Sequence, residues 1–429
     1  MGNREWFSEI FKKYSSDSSY ASLSDIHEKP DDCALIIYTS GTTGERKGVM
    51  LSNRNLAANS SYEAYSMDDD DVSLSVLPMH HVFCYACDVL KTLYDGGTLC
   101  LNGKLPNLYK NLLRYEPTIM RIVPAMCKSV LTKIKIAERK HPELSKRQAA
   151  ELVVGRNFRR MIAGSAFLSG NLIDEFEQYG ITARQGYGMS ECSPRITTSD
   201  FSDVCKYSNG KIIGVDEVRV QNGEIQVKGP SVMLGYYKKT LRTKEAFTDD
   251  GFLRTGDLGY MSEEGLLYVK GRFKSLLISS DGEKYSPEGI EEALVEKSPY
   301  IDQVMLYNNQ SNYTTAVIVP NRDQLTRTLK AQGLDLSTED GRKAALQILD
   351  GEMNKYKKGG DFEGMFPERW LPTCFAVLSE PFTEQNQMIN STMKMVRGKI
   401  EKAYADRIAY MYTAAGKQLL NEQNLDALK

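Results

Sequence analysis

The segment Tyr38-Thr-Ser-Gly-Thr-Thr-Gly-Glu-Arg-Lys-Gly48 combines the features of a loop that binds phosphate. Its glycines allow tight turns and a close approach of the backbone to an anion. Its Ser and Thr hydroxyls can donate hydrogen bonds, and Lys47 adds a mobile positive charge. The segment departs from the Walker pattern because Arg46 occupies the position of the second glycine. Taken alone, a flexible turn rich in Gly, Ser and Thr explains it equally well.

Apolar runs and helical stretches alternate on the C-terminal side of this loop. Ala34-Leu-Ile-Ile-Tyr38, directly before it, is typical of a strand buried on both faces of a parallel sheet. Ser52 suits the start of a helix. The further strand predictions are Val72–Leu77, Thr98–Leu101, Ile119–Val123 and Arg160–Ala163, and the helix predictions are Tyr109–Tyr115, Ala125–Ala137 and Leu168–Tyr179. This order predicts an α/β domain with helices on the faces of a sheet.

Two changes in the sequence pattern divide the rest of the chain into predicted structural units. From about residue 210, the dipeptides Asn222-Gly223, Asp250-Gly251 and Glu264-Gly265 predict hairpins in a small β-rich subdomain, about 205–273. After Lys274 a smaller α+β domain is expected. Its predicted elements are helix Pro287–Lys297, strands Val304–Tyr307 and Thr315–Val319, helical sequence over Leu325–Tyr356 and a terminal helix Val396–Thr413. We therefore predict a large domain over 1–273 and a C-terminal domain over 274–429.

Composition excludes several classes of protein. The chain has 429 residues, enough for two or three domains, and a formal net charge of −2, which argues against nucleic-acid binding. Eight scattered cysteines do not form a secreted disulfide framework and favour the cytoplasm. Cys84-x-x-Cys87 lacks the second pair that a structural zinc site needs, so buried thiols are the simpler interpretation. No apolar run approaches the ~20 residues of a membrane span, although peripheral membrane contact stays open.

Four later segments accompany the loop in a characteristic order. They are Gln185-Gly-Tyr-Gly-Met-Ser-Glu191, Leu253-Arg-Thr-Gly-Asp257, Gly271-Arg-Phe-Lys274 and Ser391-Thr-Met-Lys-Met-Val-Arg-Gly-Lys399. Together with the loop, they resemble the signature of the adenylate-forming superfamily, which contains acyl-CoA synthetases, luciferases and peptide-synthetase adenylation domains. The Thr392-Met-Lys segment is most like that of long-chain fatty acid–CoA ligases. The resemblance implies a layered α/β large domain joined by a hinge to a smaller α+β domain.

The resemblance also implies a nucleotide site. Tyr187 would flank the adenine, Asp257 would accept hydrogen bonds from the ribose, and Glu191 would hold Mg²⁺. Ser190 would contact phosphate, although the family usually has Thr at that position. The nucleotide-binding residues implied are Thr39, Ser40, Gly41, Thr42, Thr43, Gly44, Tyr187, Gly188, Ser190, Asp257 and Arg272.

The same resemblance implies which residues take part in catalysis and which bind the carboxylic acid. Lys394 would be the catalytic lysine, assisted by Glu191 and Lys47, and Lys274 would be the hinge. Lys399 stays open as a rival, because Arg397-Gly-Lys399 resembles the corresponding segment of short-chain and aryl-acid members. The substrate-binding residues implied are His81, Gly164, Ser165 and Ala166.

The implied reaction uses ATP and Mg²⁺ to convert a carboxylic acid into an acyl-adenylate, and then transfers the acyl group to coenzyme A. Amino acids are disfavoured, because His81–Asp88 lacks the Phe-Asp-x-Ser arrangement with which peptide synthetases hold an amino group. A medium- or long-chain fatty acid is favoured, because Tyr187–Pro194 and Thr392-Met-Lys-Met395 resemble the segments of long-chain members. An aryl or short-chain acid, and an acyl carrier protein as acceptor, stay open.

The loop begins early in the chain for a protein of this kind. Members normally carry a substantial subdomain before it, whereas only 33 residues precede Ala34. We therefore expect an N-terminally shortened chain, for which a fragment, a naturally short protein and self-association over the exposed surface are the alternatives. A binding fragment without turnover is a further alternative. The intact residues Lys47, Glu191, Asp257, Arg272 and Lys394 argue against it.

Overall fold

An antiparallel hairpin opens the described part of the chain. The structure is a computed structural model that describes residues 29–40, 46–62, 67, 70–390 and 393–429, with only the backbone at positions 40 and 46. Its first elements are β1 (Cys33–Ser40), β2 (Arg46–Ser52) and helix α1 (Asn53–Ser60). Ser52 caps α1 reciprocally, because its hydroxyl accepts from the Asn55 N–H while the Asn55 side chain accepts from the Ser52 N–H.

A five-stranded parallel sheet follows, in the order β4-β3-β5-β6-β7. Its strands are β3 (Val72–Ser75), β4 (Thr98–Leu101), β5 (Ile119–Ile122), β6 (Arg160–Ala163) and β7 (Thr182–Gln185). The helices between them are a π-helix (Phe83–Leu90) that continues as α2 (Lys91–Tyr94), α3 (Leu108–Tyr115), α4 (Pro124–Lys140), α5 (Lys146–Val154) and α6 (Gly170–Gln178). Helix α4 buries Met126, Val130 and Ile134 at helical spacing in the core of this layer.

Small antiparallel sheets make up the next part of the chain. The elements are β8 (Tyr187–Gly188), β9 (Arg195–Thr198), β10 (Lys211–Ile212), β11 (Glu217–Gln221), β12 (Glu224–Lys228), β13 (Gly235–Tyr236), α7 (Thr240–Ala246), β14 (Leu253–Met261) and β15 (Leu267–Arg272). They form the sheets β10-β9-β8 and β11-β12-β14-β15, while β13 joins the opening hairpin as β1-β2-β13. Asn222 and Gly223, at φ 53° and 79°, close the turn between β11 and β12.

The last part of the chain has a hydrophobic core on each face of a mixed sheet, β18-β20-β21. Its elements are β16 (Leu277–Ser279), β17 (Lys284–Tyr285), α8 (Glu288–Lys297), β18 (Ile301–Tyr307), β19 (Asn309–Ser311), β20 (Thr314–Pro320), α9 (Arg322–Ala331), α10 (Glu339–Asn354), β21 (Pro372–Val377), α11 (Arg397–Ala403), α12 (Ala405–Met411) and α13 (Glu422–Ala427). Along β18, Val304 and Leu306 face one core and Met305 faces the other, as the period of a strand requires.

Most predicted elements are confirmed, and the α/β class is correct. The strands predicted near positions 72, 98, 119 and 160 are β3 to β6, and the hairpins at Asn222-Gly223 and Glu264-Gly265 are present. The predicted helix over Leu168–Tyr179 begins at Gly170, with Ser169 as its N-cap. Asp250-Gly251 lies between α7 and β14 and does not join two named strands.

Besides the hairpin at Asp250-Gly251, two predictions are wrong. Strand β1 is not buried in a parallel sheet: it pairs antiparallel with β2, and Ile36 and Tyr38 are 38% and 63% exposed. The single helix predicted over Val396–Thr413 is divided into α11 and α12, because Tyr404 leaves helical geometry at φ −113° and ψ 23°.

Candidate active site

A large cleft separates the two parts of the molecule on either side of Lys274. Its volume is about 1610 Å³, and its lining includes Thr39 and Glu191 from one side and Glu288 and Lys394 from the other. The hydrophobic cores lie entirely before or after Lys274, so the cleft lies between separately packed bodies. Lys274 itself is exposed, in the short 3₁₀ turn Phe273–Ser275 between β15 and β16. We keep this turn as the proposed division and hinge.

Lys394 is held in the cleft by a compact turn. The side-chain oxygen of Asn390 accepts a hydrogen bond from the Lys394 N–H at 2.9 Å, and the Asn390 N–H donates to the Lys394 carbonyl at 2.9 Å. Met393 has φ 60° within this turn. Burial lowers the pKa of Lys394, and nearby Arg272 lowers it further, while Glu288 and Asp257 oppose the shift. Lys394 therefore lies close to the proposed ribose-binding residues.

Lys399 occupies a different environment. It is exposed, and its ammonium donates to the side chain of Gln387 within its own domain. It does not line the cleft between the two bodies. The geometry thus brings Lys394, and not its rival, to the other candidate residues.

A closed polar network supports the loop that carries Lys394. Glu291, which is 4% exposed, accepts a hydrogen bond from the Leu306 N–H at 2.6 Å and forms an ion pair with Arg397. Arg397 also donates to the Leu306 carbonyl at 3.3 Å. The network ties α8 and β18 to the first residue of α11, three positions after Lys394. The motifs did not identify Glu291 or Arg397 in this role, since their contact spans more than a hundred residues.

Asp257 is the most deeply buried carboxylate of the proposed nucleotide site. It is 2% exposed, and both of its oxygens are engaged. The Tyr187 hydroxyl donates to Oδ2 at 2.7 Å, and Arg272 Nε lies 2.8 Å from Oδ1. Burial, together with the Asp257 charge, raises the pKa of Tyr187, so the phenol stays a hydrogen-bond donor. These residues from three separate motifs meet at one point.

Gly188 lies in the same segment as Tyr187, at a very close approach of two chains. A Cβ on Gly188 would stand 2.0 Å from the carbonyl oxygen of Pro194, so only glycine fits there. Ser190, two residues later, is buried and lines the cleft. The segment therefore needs its glycine for backbone packing, independently of any ligand.

Glu191 is linked to Lys47 through a residue that sequence reasoning missed. The Tyr236 hydroxyl donates to Glu191 Oε1 at 2.8 Å, and Lys47 Nζ lies 4.6 Å from the centre of the Tyr236 ring. Tyr236 is in β13, which pairs with β2 on the far side of the phosphate-loop hairpin. In the sequence, Tyr236 lies in the string Gly235-Tyr236-Tyr237, which is outside all of the recognised motifs.

The phosphate loop itself is described only at its two ends. Gly41, Thr42, Thr43 and Gly44 lie outside the described residues, as does the side chain of Ser40. Thr39 lines the cleft and pairs with Lys47 across the hairpin. Both ends of the loop thus lie at the edge of the cleft.

Glu191 fits a magnesium ion that arrives with a nucleotide. Mg²⁺ commonly uses one or two carboxylates together with substrate phosphates. Among the described residues, no group of three or more His, Cys, Asp or Glu side chains could hold a metal by itself. A single buried carboxylate beside a phosphate-binding loop suits the shared arrangement.

Three of the four residues proposed to contact the acid line a smaller inner pocket, and the fourth lies in the main cleft. His81, Gly164 and Ser165 line the inner pocket, and Ala166 lines the main cleft beside it. Burial lowers the pKa of His81, as does neighbouring His80, and its Nδ1 accepts from the Phe83 N–H at 3.2 Å. A Cβ on Gly164 would stand 2.9 Å from the Phe83 ring, so this glycine keeps the pocket wall close-packed.

Two further sequence predictions concern features outside the cleft. Cys84 and Cys87 are buried thiols that form no disulfide, and burial raises the pKa of Cys84 to about 11. No helix in the described ranges has both the length and the apolar character needed to cross a bilayer.

Comparisons with known proteins identify the family of the chain. The sequence model of the AMP-binding enzyme family matches residues 5–237. The chain is 28% identical to the peroxisomal long chain acyl-CoA synthetase 6 of Arabidopsis thaliana and 26% identical to the long-chain-fatty-acid–CoA ligase 1 of Cavia porcellus. Each alignment covers 90% of this chain and 62% of the relative. The chain thus spans about three fifths of the length of these curated relatives.

Solved structures show the same fold. The adenylation domain of a carboxylate reductase from Mycobacterium chelonae matches with a TM-score of 0.73 at 23% identity, over 90% of this chain and 60% of that one. The O-succinylbenzoate coenzyme A synthetase of Bacillus subtilis, in complex with ATP and magnesium, matches with a TM-score of 0.66 at 25% identity, over 87% and 71%.

Proposed function

Because this chain belongs to the family of AMP-binding enzymes, we propose that it activates a carboxylic acid with ATP and transfers the acyl group to coenzyme A. The products would be acyl-CoA, AMP and pyrophosphate. ATP, the acid and coenzyme A would be its small-molecule partners, and the cytoplasm its place of action. Curated relatives include peroxisomal and chloroplastic proteins.

One observation carries the proposal most directly. Lys394, from a loop of the C-terminal body, lies within electrostatic reach of Arg272 and Asp257, which belong to the larger body. This arrangement suits a substrate that contains both a sugar and a phosphate. The carboxylate of Asp257 can bind the sugar hydroxyls, while the lysine from the other body can bind the phosphate. No motif alone would require this meeting of distant segments.

In the first half-reaction, a carboxylate oxygen of the acid attacks the α-phosphorus of ATP. The bond from that phosphorus to the bridging oxygen breaks, and pyrophosphate leaves with the electron pair. Positioning and charge stabilisation supply most of the catalysis in such a transfer. Lys394 would stabilise the charge that develops around the α-phosphate, and Lys47 would stabilise the leaving pyrophosphate.

The metal would be held by Glu191 together with the phosphates of the nucleotide. Bound there, Mg²⁺ would neutralise phosphate charge. Tyr236 would orient the Glu191 carboxylate through its hydrogen bond of 2.8 Å. Asp257 would accept hydrogen bonds from the ribose hydroxyls. For this to happen, Tyr187, Arg272 or both must give up their contacts with the Asp257 oxygens.

In the second half-reaction, the thiol of coenzyme A attacks the acyl carbon, and AMP leaves with the electrons of the acyl–oxygen bond. The C-terminal body would rotate about Lys274, so that Lys394 leaves the cleft and the thiol can enter. Hinged domain motion of this kind is a common way to use one site for two steps.

The names of the curated relatives support a fatty acid of medium or long chain as the acid. An aryl acid is the second candidate, and the named substrate of the Bacillus subtilis neighbour, o-succinylbenzoate, belongs to that class. An acyl carrier protein could replace coenzyme A as acceptor in either case.

Product analysis tests the proposal. The protein is incubated with ATP, Mg²⁺, coenzyme A and a panel of fatty, aryl and short-chain acids, and nucleotides and thioesters are quantified by chromatography and mass spectrometry. We expect AMP, pyrophosphate and one acyl-CoA in equal amounts, dependent on the acid. Formation of ADP, or ATP binding without turnover of any acid, would contradict the proposed activity.

A further inference from the structure

A small inner pocket opens from the main cleft beside the proposed nucleotide site. It shares His81, Ser165 and Ser190 with the lining of the cleft and has a volume of about 60 Å³. Since one water-sized group needs at least ~10–15 Å³ of such space, the pocket accommodates roughly four to six of them. Its position beside Ser190 makes it the place where an acid would lie with its reacting carboxylate towards the nucleotide.

The lining of this pocket includes buried charged side chains. Lys91, Arg121 and Arg195 all line it, and each is at least nine-tenths buried. Two of these cations have acidic partners: Lys91 lies 2.5 Å from Asp95, and Arg121 lies 3.3 Å from Asp88.

Arg195 differs from the other two because it has no acidic partner among the described residues. It is 8% exposed, and within the described part of the chain its guanidinium bonds only to Asn59, through Nε to the side-chain oxygen at 3.2 Å and through Nη2 to the backbone carbonyl. Its Nη1 makes no hydrogen bond within the described ranges. Among the described residues, these three buried cations thus face two carboxylates, Asp88 and Asp95, and Arg195 is the cation that neither of them pairs with.

Burial of an unneutralised cation is costly, and burial of hydrocarbon against it would add to that cost. An anion in the pocket would remove the imbalance and satisfy the open donors of the guanidinium. Arginine is especially suited to this task, since its planar fork can bind a carboxylate through two parallel hydrogen bonds. The wall of the pocket thus favours a polar, anionic end over a methyl end.

We propose that the inner pocket binds the acyl part of the substrate and selects an acid with a second anionic group, most simply a short dicarboxylic acid, through Arg195. This inference rests on the acid activation proposed above, and for the identity of the acid it replaces the medium- or long-chain fatty acid with a dicarboxylic acid. One carboxylate would react at the nucleotide, and the other would pair with Arg195 across a spacer of a few carbons. Asn59 would position the guanidinium from α1.

Matched acids test this proposal. Acid-dependent ATP–pyrophosphate exchange is measured with butyrate against succinate and with hexanoate against adipate, in the wild type and in Arg195→Gln and Arg195→Lys. In the wild type, we expect kcat/KM for the better dicarboxylate to exceed that of its monocarboxylate by about tenfold to hundredfold. Arg195→Gln should lower this ratio at least tenfold, and Arg195→Lys should restore part of it, because the charge returns without the fork.

A structural role for Arg195 gives a different result. A variant that merely loosened the fold would lower the exchange of both acids equally and leave their ratio unchanged, and this outcome would overturn the proposal. So would a wild type that prefers the monocarboxylates. Arg54→Gln, on the exposed side of the same helix as Asn59, is the matched control and should keep the wild-type ratio.

Failure of the proposed activity would appear separately, as the absence of exchange with every acid. Titration calorimetry of succinate and butyrate then decides about the pocket itself. Tighter binding of succinate by the wild type, lost in Arg195→Gln, would support the anion site without any turnover. Equal binding of the two acids would overturn it.

Discussion

At the scale of single residues, Asp257 is already fully engaged before any nucleotide is considered. Tyr187 and Arg272 each occupy one of its oxygens. A ribose that binds Asp257 through its hydroxyls must replace at least one of these contacts. The hydrogen bond from Tyr187 therefore competes with ATP, while the ring of Tyr187 would assist it by flanking the adenine.

Tyr187→Phe separates these two effects. The substitution keeps the ring and removes the competing donor, whose net contribution is roughly 0.5–1.5 kcal/mol. We expect ATP to bind about two- to tenfold more tightly, as measured by calorimetry. The exposed Tyr260→Phe serves as the control and should bind as the wild type does. Weaker binding by Tyr187→Phe would mean that the hydroxyl assists the nucleotide.

Residues within motifs were predictable, whereas residues that act through distant contacts were not. Asp257 and Lys394 stand in strings of recognisable residues, so their proposed roles could be read from the sequence. Tyr236 and Asn390 support Glu191 and Lys394 through geometry that appears only after folding. Arg195 follows Pro194 at the start of β9, and nothing in the sequence around it indicated that a cavity would form beside it.

At the scale of elements, the lysine loop depends on the contact between α8, β18 and α11. Glu291 and Arg397 each bind the backbone of Leu306 and also bind each other. Breaking a buried ion pair commonly costs about 3–5 kcal/mol, because it leaves one charge unpaired. A substitution that keeps the charge is therefore the better probe of loop position.

Arg397→Lys is such a substitution. Lysine keeps the positive charge but cannot bridge the Glu291 carboxylate and the Leu306 carbonyl with one rigid fork. We expect ATP–pyrophosphate exchange to fall about tenfold to hundredfold, while thioester formation from supplied acyl-adenylate changes much less. Arg407→Lys, a half-buried arginine on α12 without a contact to the cleft, is the matched control. Equal losses in both half-reactions would contradict a role in positioning Lys394.

Helix α8 also carries a carboxyl group, that of Glu292, whose pKa is raised above its ordinary value. Burial raises the pKa of Glu292, the neighbouring Glu296 and Glu288 add to the rise, and Lys128 of α4 opposes it, so that the pKa lies at about 8. Lys128 Nζ also donates to the Val295 carbonyl near the end of α8, at 3.0 Å. This contact joins the two bodies at one rim of the cleft.

The pH dependence of stability follows from this displaced pKa. Between the ordinary value of 4.5 and about 8, the folded state holds a proton on Glu292 that the unfolded state releases. The free energy of unfolding should therefore fall as the pH rises through this window and level off above it. In urea unfolding from pH 5 to pH 9, Glu292→Gln should show a smaller fall than the wild type and than the exposed Glu263→Gln. Identical slopes in all three proteins would refute the assignment.

Element types were predicted well, but the environment of one decisive strand was not. The run Ala34–Tyr38 is apolar without a break, and such a run cannot show whether both faces of a strand are covered. In the structure, the hairpin with β2 leaves Ile36 and Tyr38 exposed. The break between α11 and α12 was missed for a related reason. No glycine or proline stands next to Tyr404 or Ala405 to indicate the end of a helix.

At the scale of the whole molecule, two packed bodies meet at a cleft and are joined through one short turn. The domain boundary that we predict near Lys274, from the change in sequence composition there, stays a prediction, and the apolar clusters on its two sides pack separately. The relative placement of the two bodies could not be predicted from the sequence pattern. It depends on a few polar contacts, such as the one between Lys128 and Val295.

Lys274→Pro tests the motion proposed for these bodies. Proline fixes φ near −65° and should restrict rotation at the turn. We expect exchange of pyrophosphate to persist while acyl-CoA formation falls at least tenfold, so that acyl-adenylate accumulates on the protein. Lys274→Ala removes the same side chain without fixing φ and should retain both half-reactions. Normal thioester formation by Lys274→Pro would place the hinge elsewhere.

The central claim is that acyl-adenylate forms in this cleft with Lys394 as the catalytic cation. Its most direct test is acid-dependent ATP–pyrophosphate exchange in the wild type, Lys394→Ala and Lys399→Ala, with the acid that the wild type uses best. For Lys394→Ala, we predict that the exchange rate falls about a hundredfold or more, while thioester formation from supplied acyl-adenylate is retained. For Lys399→Ala, which retains every cleft contact, we predict exchange within about twofold of the wild type. Unchanged exchange in Lys394→Ala, with the loss in Lys399→Ala instead, would contradict it.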